Sequence, residues 1–115
     1  MIVRDVIDIL EAEVVYEADL DAEILSACGS DMMSDVLAFV KDQAVLLTGL
    51  VNPQVIKTAE MMDMKCIVFV RSKQPSEDML DLARESGMVV MSCSKRMYNA
   101  CGILYANGLT GSDAQ

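Results

Sequence analysis

At 115 residues, 53% of them apolar, the chain is sized for one domain with its own core, and its composition excludes an intrinsically disordered segment. The formal net charge of −9 excludes generic nucleic-acid binding, because a phosphate backbone would be repelled from most of the surface. No apolar run approaches the roughly 20 residues of a membrane span, and Asp5 and Asp8 stand where a signal peptide would be apolar, so a cytoplasmic protein is expected.

There is no histidine, and the four cysteines, Cys28, Cys66, Cys93 and Cys101, have no Cys-x-x-Cys spacing. That removes the commonest zinc patterns, so no metal is expected and the cysteines read as reduced, small hydrophobes. Ten methionines take the place of scarce aromatic residues. Met32, Met33, Met61, Met62 and Met64 fit either core filling or a pliable surface that covers a partner.

Taken in order, Val3, Val6, Ile7 and Leu10 repeat at helical spacing and predict a helix over 2–11. Residues 13–17 read as a first strand, 18–21 as an acidic turn and 24–28 as a second strand. Gly29 suits the turn that follows, and Ser30 or Asp31 can cap a helix whose apolar stripe is Met33, Val36, Leu37 and Val40, with Asp31, Asp35 and Lys41 left for water. A third strand is expected over 44–48. Gly49 ends it, Asn52 caps the next helix, and Pro53 takes the first helical position, where no hydrogen bond is lost. Val55, Ile56, Ala59 and Met62 form that helix's buried stripe. Residues 65–70 and 88–93 are continuous apolar runs, the pattern of parallel strands covered on both faces. Between them lies a helix capped by Ser76, with acids in its first turn and Gly87 at its end. Ser94 is expected to cap the last helix, whose two apolar stripes are Met97, Cys101 and Leu104 on one side and Tyr98, Gly102, Tyr105 and Leu109 on the other. One stripe serves the core, and the second is either buried as well or a subunit interface. Residues 1–108 are thus one domain, with a frayed tail over 109–115. Repeated strand–helix units imply a three-layer α/β/α domain with a largely parallel sheet.

Leu20-Asp21, Cys28-Gly29, Asp31, Met33 and Ser34-Asp35-Val36 resemble the signature of the DRTGG domain family. Gly29 matches the second glycine, Cys28 stands at the first, and the family's Arg and Thr have no counterpart. The resemblance covers nearly the whole chain and implies an α/β fold similar to the N-terminal domain of HPr kinase, without that enzyme's catalytic half. It also implies a regulatory role. DRTGG domains accompany nucleotide-sensing CBS domains in pyrophosphatases and occur in phosphotransacetylases. Stand-alone forms lie beside iron-hydrogenase and NADH-oxidising subunits or histidine-kinase-like ATPases, so a hydrogenase subunit or such an ATPase is an implied partner protein.

In a parallel sheet, ligands usually bind outside the carboxyl ends of the strands. That edge comprises residues 26–31, 48–52, 71–76 and 92–96. Arg71, Lys73, Lys95 and Arg96 are four of nine basic residues, and helix N-termini capped at Ser76 and Ser94 would add positive potential. A basic crevice on an acidic domain suits a nucleotide or phosphorylated metabolite, with Cys28, Gly29, Ser30, Thr48, Asn52, Arg71, Lys73, Ser94, Lys95 and Arg96 as candidate ligand-binding residues. The alternative is ordinary solvated charge, and no glycine-rich phosphate cradle is present. Asp31 and Asp35 could hold a cation or a basic partner, or serve as cap and surface charge. No catalytic residue is assigned: there is no histidine base, no Ser or Cys with an activating partner, and no cofactor motif. Cys28, beside a helix N-terminus, is the one thiol whose position could lower its pKa.

Three functions remain open. The first is a non-catalytic regulatory or ligand-sensing domain that forms a homodimer and signals to a partner protein. The others are a small enzyme acting on a phosphorylated metabolite and a purely structural dimerisation or adaptor domain.

Overall fold

The computed structural model describes residues 1–39 and 43–111. Val40 of the expected helix stripe, Lys41 of its expected water-facing side, and the last four residues of the expected tail lie outside them.

The elements run α1 (Val3–Leu10), β1 (Glu13–Tyr16), β2 (Ser26–Gly29), α2 (Met33–Phe39), β3 (Ala44–Thr48), α3 (Pro53–Met61), β4 (Cys66–Phe69), α4 (Glu77–Ser86), β5 (Val89–Ser92) and α5 (Met97–Ala106). The strands form one sheet in the order β1-β5-β4-β3-β2. β2 to β5 are mutually parallel, and β1 pairs antiparallel with β5.

Strand periodicity sorts the core into two halves. Val45, Leu47, Cys66, Val68, Val89 and Met91 face α1 and α5. Ala44, Leu46, Ile67, Phe69 and Val90 face α2, α3 and α4. The fold is therefore a three-layer α/β/α domain, and every residue of β3, β4 and β5 is buried, as a doubly covered sheet requires.

Both sheet edges are managed locally. At β1 a register shift between Val14 and Tyr16 breaks the ladder, and the Arg84 guanidinium lies 5.8 Å above the Tyr16 ring, tying α4 to that strand. At β2 the Ala27 N–H donates to the Thr110 carbonyl at 3.0 Å, and Leu109 is buried in the half-core shared with α1 and α5. Leu109 and Thr110, expected in the frayed tail, are anchored instead: Leu109 has a core site and Thr110 a backbone partner.

Three local expectations also change. β2 starts at Ser26, with Leu25 half exposed ahead of it. Leu37 is 42% exposed, so α2 buries Val36 and not the wider stripe. Arg96, not Ser94, is the N-cap residue of α5, and it makes no side-chain cap.

Candidate functional site

The carboxyl ends of β2 and β3 are joined by a carboxylate. Asp31 Oδ1 accepts from the buried Thr48 hydroxyl at 2.9 Å and from the Gly49 N–H at 2.7 Å. Thr48 Oγ1 in turn accepts from Leu50 N–H at 3.1 Å, and Ser30 N–H donates to Leu47 O at 3.0 Å. Asp31 is thus a strap between two loops: among the described residues its partners are Thr48 and Gly49 and not the first turn of α2. Its partners lie 17 and 18 residues away, beyond the reach of local pattern. Beside it Asn52 caps α3, its Oδ1 accepting from Gln54 N–H at 2.8 Å.

β4 leads into an unusual turn. Arg71 and Ser72 both have φ of +57°, the left-handed region that disfavours residues with a side chain. Hydrogen bonds from the neighbouring loop hold them there. Arg71 N–H donates to Lys95 O and Ser72 N–H to Cys93 O, both at 2.8 Å, while Ser92 Oγ donates to Lys73 O at 2.7 Å. The turn lays the Arg71 guanidinium across Gly49, so close that a Cβ there would stand 2.5 Å from Nη2. Among the described residues, no carboxylate pairs with this guanidinium. Gly49 is legible in the sequence only as the stop of β3. What marks it as part of the site is its place at the end of a strand covered on both faces.

The other basic residues part company. β4 and β5 are neighbours, so Arg71, Lys73, Lys95 and Arg96 do leave adjacent strands. Lys95, however, turns to the far side: its Nζ donates to Leu10 O at 3.2 Å and lies 3.7 Å from Glu11 Oε1, closing the C-terminus of α1. It is occupied structurally and is removed from the candidate anion site. Lys73, Ser94 and Arg96 are exposed on the loops.

Cys28 and Cys93 do not meet. Cys28 packs toward α2, α3 and α4 and Cys93 toward α1 and α5. Two strands lie between theirs, a separation of about 14 Å at ~4.8 Å per strand. All four cysteines are free thiols. Burial pushes the Cys66 thiol pKa far up. It also raises those of Cys93 and Cys101, although the backbone and charge of Lys95 pull the other way on Cys93. High thiol pKa values disfavour thiolate chemistry at these three. No group of three His, Cys, Asp or Glu side chains among the described residues is arranged to hold a metal ion.

On the outer face of α5, Tyr98 is 88% and Tyr105 59% exposed, and nothing lies over Gly102. Leu109, expected to extend that stripe, is instead inside the core. Two features of the described residues thus stand out, the Arg71-bearing sheet edge and the exposed, tyrosine-flanked face of α5.

The fold has a counterpart among solved structures. The chain resembles the CBS and DRTGG domains of the regulatory region of Clostridium perfringens pyrophosphatase, solved with its activator diadenosine tetraphosphate, with a TM-score of 0.71 over 96% of this chain and 12% identity. It spans about half, 51%, of that protein's chain. By sequence, it matches no family model and no curated relative. Among the described residues, no helix is long and apolar enough to cross a membrane.

Proposed function

We propose that this chain is a non-catalytic regulatory domain of the DRTGG kind, which acts as a homodimer and senses a phosphate-bearing small molecule at the carboxyl edge of its sheet. The observation that carries the reading is Arg71: a strained turn holds its guanidinium over a glycine, with no carboxylate partner among the described residues. A planar, permanently charged fork placed this way suits a phosphate oxygen pair. Backbone strain of this sort costs about 1–3 kcal/mol and tends to survive where it positions a functional group. Ser30, Asn52, Lys73 and Arg96 lie on the loops around it, and the likeness to a nucleotide-regulated region supports the ligand class. Occupancy of the edge is then passed to a partner protein.

The test is calorimetric titration of the chain with nucleotides, dinucleotides and phosphorylated metabolites, alongside Arg71→Ala and Gly49→Ala. The Gly49 variant displaces the tip of a flexible side chain and leaves the fold intact, so both variants should lose a ligand that the wild type binds. A ligand held equally by all three proteins would refute the site. Turnover of any such compound would instead favour the enzymatic reading.

A further inference from the structure

The outer face of α5 has a shape and a charge that fit one occupant. Gly102 and Ala106 form a low ridge one turn apart, with a groove on either side. One groove, of about 380 Å³, lies toward Lys95, Asn99 and Ile103. The other, of about 360 Å³, lies toward Cys101 and Tyr105. Tyr98 borders both and stands almost wholly in water. On the opposite side of the same helix Ala100 and Leu104 are buried, so the core has already taken its share of α5.

Charge identifies the occupant. Between Met97 and Gly111 there is no Asp, Glu, Lys or Arg, although the whole chain carries −9. The other helices carry acids: Asp5 and Asp8 on α1, Asp35 on α2, Glu60 on α3, and Glu77, Asp78, Asp81 and Glu85 on α4. A basic partner would be drawn to those surfaces. Two copies of an acidic chain, by contrast, associate best where neither presents a carboxylate. We infer that α5 packs against α5 of a second copy, antiparallel about a two-fold axis passing close to Gly102.

The register follows from the helix. With the axis at position 102, residues equally distant on either side face each other. Tyr98 then lies opposite Ala106, four residues or about 6 Å along the helix from the axis, and its ring fills the space over the partner's small residue. Tyr105 lies opposite Asn99, three residues away on either side, where the phenol and the amide can hydrogen-bond. Gly102 faces its own copy and lets the two backbones approach. This inference rests on the homodimer within the function proposed above and specifies its contact; it is independent of the ligand at the sheet edge.

The experiment is sedimentation velocity on the full chain from low to high micromolar concentration, with far-UV circular dichroism on every variant. The wild type is expected to dimerise. Gly102→Glu places two carboxylates against each other on the axis and should weaken association by at least about tenfold, while a better helix former replaces glycine in the helix interior and the fold is kept. Tyr98→Lys and Ala106→Glu should each be monomeric alone. Mixed one to one they should form a heterodimer, because the ammonium introduced at position 98 of one copy meets the carboxylate introduced at position 106 of the other, and the remaining pair is native. A wild type monomeric throughout overturns both the homodimer and this contact. A dimer that survives Gly102→Glu overturns the contact alone, and two variants that stay monomeric when mixed overturn the register.

Discussion

Replacing Gly29 by alanine should destabilise the domain, and a second substitution should undo the damage. Gly29 ends β2 in register with Leu47, and a Cβ on it would stand 2.5 Å from Cys101 Sγ and 3.2 Å from Met97 Sδ. Methionine can swing aside on three torsions, but the cysteine sulfur sits one bond from a Cβ fixed on α5. Overpacking of this kind costs about 1–3 kcal/mol. The gain from replacing a strand glycine offsets roughly 0.5–1 kcal/mol, which leaves a net loss of about 1–2 kcal/mol. Cys101→Ala alone removes one half-buried sulfur and should cost about 1 kcal/mol or less. In the double variant the new methyl occupies the space the sulfur left, so on that background Gly29→Ala keeps only the gain of replacing a strand glycine and should be neutral to slightly stabilising. The coupling energy is then the overpacking itself, about 1–3 kcal/mol, well outside the additivity expected of independent sites. Urea denaturation followed by circular dichroism at unchanged m-value measures it. Additive effects, or a neutral Gly29→Ala, would refute the claim that the end of β2 is clamped by α5.

Other substitutions test the loops and the core. Asp31→Ala should cost about 2 kcal/mol by urea denaturation, because it strands the Thr48 hydroxyl and the Gly49 N–H, whereas Asp31→Asn keeps an acceptor and should cost about half as much. Ser72→Gly should raise stability by up to about 1 kcal/mol in the same assay, since glycine takes the left-handed conformation without penalty. Lys95→Met should lower the thermal midpoint through loss of about 1 kcal/mol at the end of α1; little of that loss should depend on salt, because the shorter contact is to the neutral Leu10 carbonyl. The Cys66 thiol has a folded pKa raised above its ordinary value of 9.0 by burial, so above pH 9 the unfolded chain ionises while the folded chain does not. Its contribution is fully present below that pH and is lost as pH rises, by about 1.4 kcal/mol per pH unit. Cys66→Ala should flatten the alkaline stability slope by that amount while lowering stability at neutral pH through the cavity it leaves.

Sequence periodicity carried the central sheet. The unbroken apolar runs that become β4 and β5, and the Asn-Pro and Ser caps of α3 and α4, are signals within a few residues of one another, and the structure keeps them. Failures arise where the deciding partner is distant. Ser94 is a plausible cap by composition, but the loop from β5 bonds back to Arg71 and Ser72, and α5 begins three residues later. Leu37 fits a helical stripe, yet α2 sits over the edge of the sheet and buries only its Val36 side among the residues described. Leu109 reads as tail because glycine and polar residues surround it. Its burial depends on α1 and α5 meeting over the same end of the sheet. The site divides in the same way. Arg71 is legible as a cation following a parallel strand, while its glycine seat, its backbone strain and the Asp31 strap exist only once β2, β3, β4 and β5 lie side by side.

The basic residues show why Arg71 outweighs its neighbours. An acidic domain with 18 carboxylates has ample means of neutralising nine cations, and it does so for Arg4 with Asp21, Lys65 with Asp63, Arg84 with Asp81 and Lys95 with Glu11. Of the described basic residues outside these pairs, Lys57 lies on the exposed side of α3, whereas Arg71, Lys73 and Arg96 all follow the carboxyl ends of β4 and β5. Surface lysines on mobile stems are readily solvated and give weak evidence of a ligand. Arg71 differs because it leaves a turn of two residues in an unfavourable backbone conformation and its guanidinium lies over a glycine, where a Cβ would collide with it. Solvation alone would require neither, since an extended turn would expose an arginine equally well at lower cost. On the function proposed above, this placement suits a group that must meet a charge at one spot, and this is the property that the Gly49→Ala variant removes while leaving the charge itself in the protein.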